Sequence, residues 1–189
     1  MFWEAVCNNL GTIVGTAGSI FGVFLGWWLN NWSKRGKLNI YLSEWKDQFK
    51  RNQFGVSGNS PSKAEAESYH FYCSLDLHNS SSEAKIMRDF KIVYRNKYKE
   101  LWADYPLDDS TTVRTSVGYS SDDLCVVNIP PKSVVKINFH NSLHSKETLS
   151  VLWDTISIFL EYKDENNKKK VKLLKIENFN EYDFAQEAK

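Results

Sequence analysis

From Leu10 to Leu29 the chain carries no charged side chain, and as a helix this run is about 30 Å long, the depth of a bilayer's hydrocarbon core. It predicts one membrane-spanning helix, flanked by Glu4 on one side and Lys34 on the other. From Gly36 onward the period becomes twofold. Alternation predicts strands over Lys37 to Trp45, Tyr69 to His78, Ile86 to Tyr94, Val113 to Val117, Leu124 to Ile129, Val134 to Phe139, Thr155 to Lys163 and Val171 to Ile176.

Tyr69, Phe71, Cys73, Leu75 and Leu77 take one face of their strand, and Phe90, Ile92 and Tyr94 take one face of the next. With only Asn79 to Ser82 as a turn between them, these two strands are expected to pair. Leu124 to Ile129 and Val134 to Phe139 are expected to form a similar unit around Pro130-Pro131-Lys132, and the last two strands another around Asp164 to Lys168. Lys46 to Glu67 reads as a long loop with a short helix near Lys63 to Glu67, Lys97 to Asp104 as one helical turn, and Asp104 to Ser110 as loop. The aromatic tail residues Phe179, Tyr182 and Phe184 are expected to dock. The expected fold is an all-β soluble domain, an antiparallel β-sandwich of which the immunoglobulin-like arrangement is one form, over residues 36–189, on a transmembrane helix within residues 1–35.

The helix has three faces. Gly11, Gly15, Gly18, Gly22 and Gly26 fall within an arc of about 80°, a groove that lets another helix approach closely in lipid. Asn8, Thr12, Thr16, Ser19 and Asn30, with Val23 among them, fill a second arc of about 80°. Bulky residues such as Ile20, Phe21, Phe24 and Trp28 occupy the rest and suit acyl chains. Identical helices packed through the glycines would turn the polar stripe toward a narrow lumen, with Val23 as its apolar constriction. Ser and Thr can also bond to their own helix's i−4 carbonyl without lining anything, which leaves a simple dimeric or trimeric anchor open.

Composition sharpens the picture in two places. Net charge is +1 over 189 residues, so the chain is neither a polycation nor an acidic tail. Lys34, Arg35 and Lys37 follow the apolar run, while no Lys or Arg precedes it; the positive-inside rule places the C-terminal domain in the cytoplasm and the N-terminus outside. Trp27, Trp28 and Trp32 stand where a signal peptidase would need small residues, so a cleaved signal is not expected. Three cysteines, Cys7, Cys73 and Cys125, form no metal-ligand spacing and are expected reduced and buried.

No nucleophile elbow, phosphate-binding glycine loop or metalloprotease motif is present, and neither an enzyme nor a cofactor is expected. His70 and His78 are about 27 Å apart along one strand, too far for a shared metal, and His140 and His144 flank a loop. The histidines read as surface or edge residues. Two basic patches remain. Lys91, Arg95, Lys97 and Lys99 share one strand face, with Arg88 and Lys85 nearby, and could receive phosphates with Tyr72, Tyr94 and Tyr98 as stacking surfaces; Lys168 to Lys170, Lys172 and Lys175 decorate the last hairpin and could do the same.

A glycine-spaced helix passing through Trp27-Trp28-Leu29-Asn30-Asn31-Trp32-Ser33-Lys34-Arg35-Gly36-Lys37-Leu38 into a small β-sandwich resembles the small single-pass membrane effectors of bacterial anti-phage defence systems; the Hailong channel effector is similar in layout. The resemblance implies a homo-oligomer, a tetramer, embedded in the bilayer. It also implies a nucleotide or oligonucleotide signal made by a partner nucleotidyltransferase, and permeabilisation of the membrane as the output. It lies in layout, so it transfers no binding residue. The other reading is a membrane-tethered protein-interaction module without a pore.

Overall fold

The computed structural model describes residues 9–34, 36–53, 56–97, 100–116, 118–144, 149 and 152–184. The apolar run forms α1 (Leu10–Ser33). Trp28 and Trp32, one turn apart near its end, meet edge to face with ring centroids 4.7 Å apart. None of its most apolar 18-residue stretch is buried against the rest of the protein, and Phe21, Val23, Phe24 and Trp27 are all more than 60% exposed. A helix this long, apolar and unpacked is suited to lipid rather than to water.

Twelve strands follow among the described residues: β1 (Leu38–Gln53), β2 (Val56–Asn59), β3 (Ser68–Asn79), β4 (Lys85–Arg95), β5 (Glu100–Asp104), β6 (Leu107–Asp108), β7 (Val113–Thr115), β8 (Gly118–Ser120), β9 (Val126–Ile129), β10 (Ser133–Leu143), β11 (Thr155–Lys163) and β12 (Lys169–Asn178). They build an antiparallel β-sandwich. One sheet has the order β2-β1-β3-β10-β6, and the other β12-β11-β4-β5 with β9 also paired to β4; β7 and β8 form a separate ribbon. The two inner faces close over Tyr69, Phe71, Cys73, Leu75, Leu77 and Phe139 from the first sheet and Phe90, Ile92, Tyr94, Ile156, Ile158 and Leu160 from the second, all less than 5% exposed.

The alternations predicted for β3, β4, β10 and β11 hold. Several connections differ from expectation. β3 and β4 do not pair, because the turn after Asn79 carries the chain from one sheet to the other, and β9 and β10 are likewise split between sheets across Pro130-Pro131. Short turns predict hairpins, but in a sandwich they also serve as sheet-to-sheet corners. Lys46 to Gln53 is strand rather than loop. A bulge at Ser43 shifts the register between Leu42/Leu75 and Glu44/Ser74, so the inward set passes from Leu38, Ile40 and Leu42 to Trp45, Asp47 and Phe49, and the simple alternation is lost. In β4, Asp89 sits at φ 55° where the pairing with β11 skips a residue, which turns the inward set from Met87 to Phe90 and Ile92.

The helical turn expected at Lys97 to Asp104 is strand β5, paired through Trp102 and Ala103 to β4, and the loop from Asp104 to Ser110 contains β6 and a 3₁₀ turn. The short helix near Lys63 is present as a 3₁₀ turn over Lys63–Glu65. Cys125 is exposed rather than buried, while Cys73 is buried and its thiol is pushed up by desolvation. The tail docks as expected: Phe179, Tyr182 and Phe184 gather around Phe49, with ring centroids at 5.8, 4.8 and 5.6 Å, and the Tyr182 hydroxyl donates to the Asp47 carbonyl at 3.0 Å.

Candidate functional site

Two regions hold the functional residues expected from sequence, and a third was not foreseen. On α1, an added Cβ at Gly11, Gly15, Gly18, Gly22 or Gly26 would meet nothing within 4 Å, so the whole glycine face is open. Beside it, the Thr16 hydroxyl donates to the Thr12 carbonyl at 2.8 Å and the Ser19 hydroxyl to the Gly15 carbonyl at 2.9 Å. Those two side chains satisfy themselves within the helix, while Thr12, Val23 and Asn30 remain exposed on the same flank. Asn8, the first residue of the expected polar stripe, lies outside the described residues.

On the outer face of the second sheet, Lys91 and Arg95 share one side of β4 as expected, but carboxylates meet them. Arg95 is 2.6 Å from Glu161 and 3.4 Å from Glu100, and its guanidinium lies over the Phe159 ring. Glu161, only 5% exposed, also binds Lys169 at 2.6 Å. The Lys91 ammonium lies over the Tyr105 ring, and Arg88 reaches the Glu165 carbonyl at 3.5 Å beside a Lys85–Glu165 pair of 2.6 Å. Lys97 stands past the end of β4, and Lys99 is outside the described residues. A guanidinium held between two carboxylates offers little to an incoming phosphate. Of the three expected stacking surfaces, Tyr94 is buried in the core, Tyr72 is on the opposite sheet and Tyr98 is outside the described residues.

The unforeseen region is the outer face of the first sheet. After the Ser43 bulge, Lys46, Gln48 and Lys50 point outward together; Lys46 pairs with Tyr72 and Gln48 with His70 on β3, and across β3 these pair with His140 and Ser142 on β10. The result is a groove of about 530 Å³. His70 and His144 meet edge to face at 5.4 Å, Ser68 Oγ lies 2.9 Å from His70 Nε2, and Ser142 Oγ lies 2.6 Å from His144 Nε2. Burial, reinforced by Lys50, His144 and His140, lowers the His70 pKa to about 4, so its imidazole is neutral at physiological pH. Three of the four histidines are thus brought together, where separate surface positions were expected. Only the strand register could have revealed this, since His70 and His140 are 70 residues apart. Among the described residues no cluster has metal-holding geometry.

The same three strands run to the helix. Leu38, Asn79 and Ser133 lie side by side at their other ends, where a network of polar bonds grips the exit of α1. The Ser82 amide donates to the Ser33 carbonyl at 3.2 Å, and the Lys37 amide donates to Ser80 Oγ at 2.9 Å. The fully buried Asn79 donates through Nδ2 to the carbonyls of Glu83, Ile129 and Pro130, and its Oδ1 accepts from the Ser81 amide and hydroxyl. Gly36 packs so closely that a Cβ there would lie 2.2 Å from the Ser81 amide nitrogen.

Residues 36–175 match the family described as the YopI Ig-like domain. The chain belongs to that family. It is 29% identical over 168 residues to the SPbeta prophage-derived uncharacterized protein YopI of Bacillus subtilis strain 168, covering 85% of this chain and 94% of that protein. Among solved structures it is similar to a protein from Archaeoglobus fulgidus (TM-score 0.41, 10% identity, 72% of this chain and 94% of the other). It is also similar to an uncharacterized β-sandwich protein from Clostridium difficile 630 (TM-score 0.32, 11% identity, 74% and 86%).

Proposed function

We propose that this chain is a self-associating membrane effector: the Ig-like sandwich receives a nucleotide or oligonucleotide signal in the bacterial cytoplasm, and α1, assembled with its copies in the inner membrane, opens an ion path. The observation that carries this reading is the glycine face of α1, five positions in line with open space above each. In a bilayer such a face gains contact only by receiving another helix, and the cost of glycine in a helix is otherwise uncompensated. The bonded joint between sandwich and helix supports it, because a movement of Asn79 to Ser82 is passed to Ser33 without slack. The prophage origin of the B. subtilis relative agrees with a setting of conflict between phage and host.

A second reading, a tethered interaction module, draws on the internal bonds of Thr16 and Ser19, which leave fewer free hydroxyls for a lumen. Membrane-potential dye separates the two. Expression of the chain with its signal supplied should collapse the potential, and the double variant Gly18→Ile, Gly22→Ile should abolish both the collapse and the oligomer seen in detergent. Oligomers that persist in the double variant count against the glycine face. A dimer or trimer with potential intact under signal favours the tether.

A further inference from the structure

The groove on the outer face of β1, β3 and β10 has an unbalanced inventory of donors and acceptors. Lys50 ends in an ammonium that makes no ion pair with a described residue, and it lies near enough to His70 to oppose its protonation. His140 Nδ1 is shielded from solvent and stands 3.3 Å from Asp109 Oδ1 without a well-formed hydrogen bond. The Gln48 amide also lines the groove, and the Ser68 and Ser142 hydroxyls are bonded to His70 Nε2 and His144 Nε2 at its side. Of the nearby carboxylates, Glu44 is engaged by Lys46 at 2.6 Å and Asp47 by the Tyr69 hydroxyl at 2.9 Å on the inner side of the sheet, while Asp109 stands beside His140 at the edge of the groove. A cleft that holds the Lys50 ammonium without an ion pair, and whose carboxylates Glu44 and Asp47 are already engaged, is complementary to a ligand that brings acceptors.

We propose that this groove binds a small phosphate-bearing molecule, with the phosphate against Lys50, His70 and His140 and the organic part lying on Tyr72. Its volume of about 530 Å³ accommodates a mononucleotide and falls within the range of small-molecule sites. Tyr72 and His140 are directly opposed across β3 and β10, so one flat ring and one imidazole border the same row. The rival surface on β4 lacks this imbalance, since Arg95 is already shared between Glu161 and Glu100. The proposal rests on the reading of the sandwich as the receiving part, and it relocates the receptor from β4 to the opposite sheet.

Equilibrium binding of AMP to the full chain in detergent, with inorganic phosphate as competitor, tests it directly. AMP is expected to bind saturably, phosphate to displace it, and the double variant Lys50→Gln, His70→Gln to weaken binding about tenfold or more, as expected for loss of charge-assisted contacts. Lys50→Gln alone, whose side chain points outward, should weaken binding in the same direction while leaving the melting temperature unchanged. Arg95→Gln should leave affinity unchanged. No saturable AMP or phosphate binding up to about 10 mM, tenfold above the millimolar end of the affinity scale, overturns the proposal, as does binding that survives Lys50→Gln, His70→Gln or is lost only with Arg95→Gln. Binding in the groove without any effect on membrane potential would instead defeat the effector reading and leave this site standing.

Discussion

Two ends of the same three strands use polar side chains in opposite ways. Where Leu38, Asn79 and Ser133 lie abreast, Asn79, Ser80 and Ser81 spend their hydrogen-bonding capacity on backbone groups of the helix exit and the corner at Pro130. Lys132 closes that corner at φ 52° with its ammonium 2.6 Å from the Ser80 carbonyl. About 30 Å away along β1, by the rise of a strand, Lys50, His70 and His140 share the outer face, where the Lys50 ammonium makes no ion pair with a described residue and His140 Nδ1 has no hydrogen-bond partner. A closed network holds shape, because each buried group left without its partner costs about 1–3 kcal/mol; an open one is available to a ligand. Polarity alone therefore does not mark a site: the balance of donors and acceptors does.

The largest effect expected from breaking the closed end is at Gly36. Its Cβ position is occupied by the Ser80–Ser81 backbone, which cannot rotate away as a side chain could. Gly36→Val should lower stability by about 3 kcal/mol, at the upper end of overpacking penalties, and expose the segment between α1 and β1 to protease. Thermal unfolding and limited proteolysis report both. Asn79→Ala follows, at about 2 kcal/mol, because it takes the side-chain acceptor from the buried Ser81 amide and the Asn79 donor from the carbonyls of Glu83, Ile129 and Pro130, of which Glu83 and Pro130 keep the Ser81 and Ser133 hydroxyls. If denaturant unfolding shows Asn79→Ala as mild as an outward substitution such as Lys136→Ala, the two ends do not differ as argued.

The contrast also explains how much could be read from sequence. α1 and the inward faces of β3 and β11 were legible because each carries one uninterrupted period. β1 was half legible: the single extra residue at Ser43 hid its second half, and with it Lys46 and Lys50. The groove needed three strands in register, and register between β3 and β10 is set by long-range packing rather than by any local signal. The basic run on β4 was visible as charge, but its neutralisation by Glu161 depends on β11 lying next to it. Asn-Ser-Ser-Ser announced a turn; that the turn is a buried corner bonded to the end of the apolar helix α1 was not written in its composition.

At the open end a smaller, pH-dependent effect is expected from His70. Its unfolded pKa is near 6.5 and its folded value about 4, so the fold favours the neutral ring; the stability it contributes is complete above pH 6.5 and is lost as pH falls through 4. The half-exposed position discounts the shift to about 1–2 kcal/mol. His70→Gln should flatten the stability profile between pH 6.5 and 4, and a bound phosphate should do the same by stabilising the imidazolium. A profile unchanged by the substitution would place the acid sensitivity elsewhere.

The smallest effect is expected where charge is most conspicuous, at the pair of Lys34 and Glu83, 3.0 Å apart beside the helix exit with both side chains well exposed. Exposed pairs of this kind contribute about 0.2–1 kcal/mol and are screened by salt. Glu83→Gln should therefore shift the unfolding midpoint slightly at low ionic strength and not at all near 1 M salt. The Glu83 carbonyl, which accepts from Asn79 and Ser81, is untouched by that change. A loss approaching that of Asn79→Ala would mean that the joint is held electrostatically, by a contact that salt can weaken.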